Sequence, residues 1–204
     1  MFIRFFHALF SLPEKVNFSI RNHFRREDLA FGDLSDYESA VSGFLTVTVS
    51  GVRTRNIYLQ KTLPFFSPGA FTVALIPGSM GMDLLQIPDG LCTLPSPAFG
   101  CIRTVNLTDD PSLYHFHLYG KRLLFPDVTF RHITTYKQIK EGTHGVYLTL
   151  PGSNAPQIPS VFPLQAGDLC TCYVYGSRAA GTLSLLKVTD GLIPPLASPE
   201  RNLP

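Results

Sequence analysis

The seven residues Leu84 to Gly90, LLQIPDG, return 101 positions later as Leu185 to Gly191, LLKVTDG. A chain that repeats a stretch at domain-sized spacing is constrained to fold as two like units. Each is roughly 90–100 residues, enough to bury a core of its own. The other landmarks keep the same order in both halves. Ile3-Arg4 answers Ile102-Arg103, and Val16 to Ile20 (VNFSI) answers Tyr114 to Leu118 (YHFHL). FGDLSDY (Phe31 to Tyr37) answers FRHITTY (Phe130 to Tyr136), and Gly43 answers Gly142. Thr46 to Val49 matches Tyr147 to Leu150, and Phe71 to Leu75 matches Cys170 to Val174. Chance similarity would not keep that order.

Within these stretches large apolar residues alternate with polar ones, the period of a strand with one buried face. No window sustains the i, i+3, i+4, i+7 apolar spacing of a helix, and 17 prolines and 16 glycines punctuate the connections. The expected fold is all-β: two tandem immunoglobulin-like β-sandwich domains related by internal duplication, with about seven strands each. Their expected extents are 1–90 and 100–191, with a proline-containing linker at 91–99 and a proline-rich tail at 192–204.

Composition narrows the function classes. With 45% hydrophobic and 16% charged residues the chain suits a folded domain and not a disordered one. A net charge of +2, spread evenly, gives no basic stripe and argues against nucleic-acid binding. Arg21, Arg25 and Arg26 read as a solvated turn, since Glu27 and Asp28 follow at once. The apolar start MFIRFFHALFSL is interrupted by Arg4 and lacks a small-x-small cleavage site, so it reads as an opening strand and not a secretory signal. No run approaches the ~20 apolar residues of a membrane helix. Cys92, Cys101, Cys170 and Cys172 fall in the linker and second half only; free buried thiols acting as small hydrophobes are the expectation, with a disulfide or zinc as the alternatives.

Several of these elements together resemble a bacterial family of uncharacterised domains, DUF4397. They are the opening IRFFHA (Ile3 to Ala8), FGDLSDY with its twin FRHITTY, the glycines Gly43 and Gly142 before a strand, and SPGAFTVALIPG (Ser67 to Gly78). The resemblance covers nearly the whole chain in two copies. It implies a β-sandwich fold and a cell-surface or extracellular setting, with no established activity. The family's His-Ala-Ser-Pro-Asp-like corner departs here: His7-Ala8 runs into LFSLPEK, and Asn106 stands where the second copy would carry His7. The missing export signal leaves an intracellular or spore-associated site open.

Chemistry is sparse. His115 and His117 share one strand face and, with His132, are the candidate metal ligands; an exposed polar face is the simpler account, and no metal or cofactor is expected. Asp33 and Asp36 form a possible carboxylate pair, but the twin carries His132 and Thr135. No GxSxG elbow, HExxH or P-loop is present, and Gly78 to Gly81 and Gly176 to Gly181 read as hairpin turns. Tyr37 and Tyr136 recur at matching places, as buried hydroxyls that tie down loops or as stacking platforms. The expectation is a non-enzymatic structural or interaction protein of the bacterial envelope or spore surface, with no catalytic residues, meeting a protein or glycan partner through loops and strand edges. A carbohydrate-binding module is the alternative, weakened by the absence of tryptophan.

Overall fold

The computed structural model describes residues 1–21, 23–66, 69–90, 92, 98–108, 110, 112–120 and 122–190, with only the backbone of residue 122. The expected tail at 192–204 and most of the linker lie outside the described residues.

The first unit contains β1 (Phe2–His7), β2 (Val16–Ile20), β3 (Phe24–Leu29), β4 (Glu38–Ser39), β5 (Gly43–Gly51), β6 (Ile57–Phe65), β7 (Ala70–Gly78) and β8 (Gly81–Asp89). The second contains β9 (Phe99–Asn106), β10 (Tyr114–Leu118), β11 (Arg122–Val128), β12 (Lys137–Lys140), β13 (Gly142–Thr149), β14 (Gln157–Leu164), β15 (Leu169–Tyr175) and β16 (Ser184–Thr189). Among the described residues the fold is all-β, as expected, in two sandwich-like units of eight strands rather than seven. In the first unit the sheets run β4-β1-β7-β8 and β3-β2-β5-β6; in the second, β12-β9-β15-β16 and β11-β10-β13-β14. The connectivity of the first eight strands is thus repeated by the next eight, down to a parallel first strand in each, β1 on β7 and β9 on β15.

Local features match as well. Gly43 and Gly142 have φ of 147° and 144°, a conformation open to glycine and costly for other residues. Asp28 and Asp127 are left-handed at 59° and 51° beside the bulged pairings β2–β3 and β10–β11. The expected turn around Arg25 and Arg26 is corrected, because both lie on β3, where alternating charges face water. Arg25 pairs with Glu27 at 3.0 Å, and Arg26 pairs with Glu38.

Each unit has its own core between its sheets. Ile3, Phe5, Phe18, Val47, Phe65 and Val73 lie in the first, and Ile102, Phe116, Val146, Cys170 and Cys172 in the second. A third cluster joins the units: Phe6, Ala8, Ala74, Ile76 and Ile87 meet Val105, Leu107 and Tyr173. Alternation explains it. On β1, Ile3 and Phe5 point into the unit's own core while Arg4 and Phe6 point to the other unit. Strands buried on both faces read as continuous apolar runs, and FIRFF and AFTVALI are such runs.

Strand edges are guarded. Of the eight edge strands, β6, β8, β11 and β14 carry Pro64, Pro88, Pro126, and Pro159 with Pro163. The strands β3 and β12 carry charges, β4 is two residues long, and β16 has one lysine, Lys187, and no proline. Proline cannot donate to an added strand, and charge opposes pairing, so edge-to-edge contact with a partner is disfavoured.

The expectation of four free thiols is corrected by a Cys92–Cys101 disulfide with a Cα–Cα separation of 6.4 Å. Spacing along the chain hid it, because the ends of the linker are brought together only by packing of the two units. Cys170 and Cys172 are free and buried, on the core face of β15, as expected. Burial pushes the Cys172 thiol far up and the Cys170 thiol in the same direction, so neither offers a ready thiolate.

Candidate functional site

The densest concentration of polar chemistry sits between the units. Arg4 on β1 donates from Nε to Thr72 Oγ1 (2.8 Å) in its own unit. It crosses to the other unit from Nη2 to Asp190 Oδ1 (2.7 Å) and from Nη1 to the Thr189 carbonyl (3.4 Å). Arg103 on β9 does the same in reverse. Its Nε donates to Thr171 Oγ1 (2.7 Å), Nη1 to the Pro88 carbonyl (2.7 Å) and Nη2 to Asp89 Oδ1 (3.0 Å). Each guanidinium also lies over its own unit's tyrosine, Arg4 4.4 Å from the Tyr37 centroid and Arg103 4.7 Å from that of Tyr136.

The carboxylates complete the reciprocity. Asp89 Oδ2 accepts from Tyr37 (2.7 Å) and Thr72 (2.8 Å), while Asp190 Oδ2 accepts from Tyr136 (2.5 Å) and Thr171. Longer contacts, Arg4 to Asp89 at 3.7 Å and Arg103 to Asp190 at 3.8 Å, close the set. Two arginines and two aspartates cancel in charge. One element has no counterpart: Tyr173 donates to Thr72 Oγ1 (3.1 Å) from the place that Ala74 holds in the first unit.

These side chains are sealed, at 5% exposure for Arg4, 4% for Arg103 and 1% for each aspartate. Ions cannot be left unpaired in such a place, so each must find both a counter-ion and hydrogen bonds. Burial raises the Asp89 carboxyl, Arg4 pulls it back down, and neighbouring Asp190 adds to the rise. Burial, then Asp89, pushes the Tyr37 phenol up; burial and Asp190 do so for Tyr136, so both remain hydroxyl donors at any physiological pH. Such a network fixes geometry and presents no reactive group to solvent.

The candidates read from sequence fall elsewhere. His115 Nδ1 accepts from the Asp127 backbone N–H (3.2 Å), the place where Asn17 Oδ1 accepts from Asp28 N–H (3.2 Å) in the first unit. His115 is thus the brace of a left-handed bulge residue, and its Nδ1 is engaged. His117 faces Thr149 Oγ1 at 3.0 Å and stacks on Tyr147 at 4.9 Å, 5° from parallel. Burial, then His115, pushes the His117 pKa down. His132 is exposed on the loop whose carbonyl bonds Asn106 of β9, in the opposite sheet. Among the described residues no three His, Cys, Asp or Glu side chains gather to hold a metal. Asp33 caps the Ala30 N–H (2.8 Å).

Tyr37 and Tyr136 are brought together with the network, as hydroxyl donors to the aspartates. Arg4, Arg103, Thr72, Thr171, Asp89 and Asp190 were visible only as alignment landmarks. The usable signal was an arginine inside an apolar strand run at the same place in both halves, because a buried cation demands a buried anion. A surface cleft of about 440 Å³ among Pro13, Glu14, Lys15, Val52 and Arg53 shares no residue with the network. There Tyr58 donates to Glu14 Oε1 at 2.5 Å.

Fold and site together define an all-β protein of two sandwich-like units clamped by a reciprocal buried ion network. No family model matches the chain, and no curated protein matches it. Among the described residues no helix is long and apolar enough to cross a membrane.

Proposed function

We propose that the chain is a non-enzymatic structural or interaction protein of the bacterial envelope or spore surface, built by duplication of a DUF4397-like sandwich. The observation that carries this reading is the network itself. The arginines and aspartates of the network, which recur in both units, are spent on holding the units together, sealed from any substrate. Clamping makes one rigid body whose loops and outer sheet faces meet a partner. A disulfide at Cys92–Cys101 fits an oxidising, extracellular setting. The test has two arms. Fractionation of the native host cell places the protein with the envelope or spore coat, and purified protein gives no turnover above buffer on chromogenic esters, phosphates and glycosides. A soluble cytoplasmic location, or turnover lost on a single substitution, would overturn the reading.

A carbohydrate-binding role is favoured by one specific observation. On the outer face of the sheet β11-β10-β13-β14, Tyr119 is 55% exposed, its ring filling the space left by Gly145 and lying 5.5 Å from Tyr147. Exposed, wedged aromatic rings present area at low entropic cost, which suits stacking on a sugar. Binding on a glycan array, lost in Tyr119→Ala and kept in Tyr119→Phe, is the expected result. No binding across a broad array sets this reading aside.

A further inference from the structure

The contacts that clamp the units are reciprocal, and this has a consequence for how two chains can meet. Arg4 needs an Asp190 and Arg103 needs an Asp89, but nothing in those contacts requires both members to belong to one chain. The apolar part of the interface, Phe6, Ala74 and Ile76 against Val105 and Tyr173, is equally indifferent. What decides is the linker. Cys92 lies three residues after Asp89, Cys101 lies two before Arg103, and Asp89 and Arg103 are 3.0 Å apart. The in-chain bridge thus sits beside the pairing of Asp89 with the Arg103 of its own chain.

We infer that the interface is exchangeable between two copies of this chain, and that the Cys92–Cys101 bridge is the latch that keeps it within one. Reduction by an external dithiol consumes the bridge, giving two protein thiols and one oxidised dithiol. With the bridge open, the first unit of one copy pairs with the second unit of another, and the reverse, in a closed dimer. No new surface is needed. In that dimer each Cys92 stands beside the Cys101 of the second copy. Reoxidation by two equivalents of a small-molecule disulfide, each accepting two electrons and leaving as two thiols, seals the exchange as two bridges between chains. This inference stands on the interface alone and not on the envelope reading.

The experiment mixes equal amounts of heavy-isotope and normal full-length protein. The mixture is unfolded with a dithiol, refolded at graded concentration, then reoxidised and analysed by non-reducing electrophoresis and peptide mass spectrometry. Two units joined in one chain meet at an effective concentration taken as of order millimolar. The covalent dimer is therefore expected to rise at least about tenfold between about 10 µM and about 1 mM protein. Its cross-link maps to Cys92–Cys101 with one heavy and one normal peptide. Oxidised protein mixed without reductant exchanges nothing. Correctly folded monomer alone at the highest concentration would overturn the inference, and so would dimers bridged through Cys170 or Cys172, or exchange with the bridge intact. A Cys92→Ser variant keeps the test open should reoxidation be inefficient. Heavy and normal chains of that variant, refolded together, form non-covalent dimers whose mass is read by light scattering, and their absence at about 1 mM counts against exchange.

Discussion

Replacing Arg103 by methionine removes one cation from the clamp while keeping most of its volume. At an effective dielectric of about 20, the 3.0 Å contact with Asp89 is worth roughly 5 kcal/mol of Coulomb attraction, much of it offset by desolvating both ions. What remains after the substitution is the expensive part. Asp89, with its side chain 1% exposed, loses its nearest counter-ion, and the Pro88 carbonyl loses its 2.7 Å donor. Breaking a buried pair from one side typically costs about 3–5 kcal/mol, a large fraction of the ~5–15 kcal/mol that holds most domains folded. With a urea m-value near 3 kcal/mol/M, the midpoint falls by about 1–1.7 M. The assay is urea denaturation followed by far-UV and near-UV circular dichroism, the latter reporting the tyrosines at the interface. Adding Asp89→Asn to Arg103→Met removes the orphaned charge while retaining an acceptor for Tyr37 and Thr72. The double variant is expected to cost about 2 kcal/mol less than the sum of the singles. A loss under about 1 kcal/mol for Arg103→Met, or strict additivity in the double variant, would refute the claim that these ions are desolvated and interdependent.

The remaining predictions concern pH and the backbone. His7 is fully buried with its Nδ1 unpartnered, and burial lowers its pKa against the Glu14 carbonyl and Asp33. The unfolded chain thus binds the proton more tightly, and stability falls as pH drops below about 6.5, with His117 acting in the same sense. His7→Asn, the residue that the second unit uses as Asn106, flattens the dependence of the urea midpoint on pH between about 7.5 and 5.5; an unchanged slope counts against it. Asp110 is driven up by burial but more strongly down by hydrogen bonds from Ser112 and Arg178, to about 2. Its contribution is present above the unfolded value near 3.9 and lost between about pH 4 and pH 2. Arg178→Ala shifts that acid transition upward, as read by circular dichroism. Gly176→Ala places a Cβ 2.2 Å from the Thr182 carbonyl at a φ of +88° and costs about 2 kcal/mol or more. Gly152→Ala, at +72° with open space around it, costs about 1 kcal/mol, and equal thermal shifts for the two would contradict this.

Much of the fold was legible because strand alternation is local. VNFSI and YHFHL place Val16, Phe18, Tyr114 and Phe116 inward and their neighbours outward, and the structure buries them in that way. Glycines at 43 and 142 mark the same left-handed corner in each half. The interface was not legible for the opposite reason. FIRFF reads as a strand whether Phe6 faces water or another unit, and alternation within one half carries no information about the other. Two imidazoles on one face, His115 and His117, look like ligands in the sequence, whereas the bulge at Asp127 that engages His115 is a property of backbone pairing. Cys92 and Cys101 looked unpaired because their nearness depends on the Asp89–Arg103 contact, which lies outside any local pattern.

A comparison of matched positions separates what the two units hold in common from what they do not. Inside, the sets Arg4, Thr72, Asp89, Tyr37 and Arg103, Thr171, Asp190, Tyr136 are the same four residue types making the same bonds. Outside, the β2–β5 face carries Ser19, Thr46 and Thr48, with Thr46 bonded to Thr62 and Gln60 to Thr48. Strand register pairs His117 with Tyr147 where Ser19 pairs with Thr48, two residues off the match of Thr46 with Tyr147 read from sequence. The corresponding β10–β13 face thus carries His117, Gly145 and Tyr147, with Tyr119 filling the space above the glycine. A buried ion cluster tolerates no single change, because each substitution orphans a partner, so identity there follows from energetics alone. Outer-face positions carry no such constraint, and a polar ladder on one unit opposite an aromatic one on the other cannot be ascribed to folding. On the proposed carbohydrate-binding reading, the β10–β13 face is the surface to test. Substitutions at Tyr119 are expected to alter binding while leaving the urea midpoint within about 0.5 kcal/mol of the parent, as surface changes generally do. A large loss of stability at that position would return the ring to a packing role.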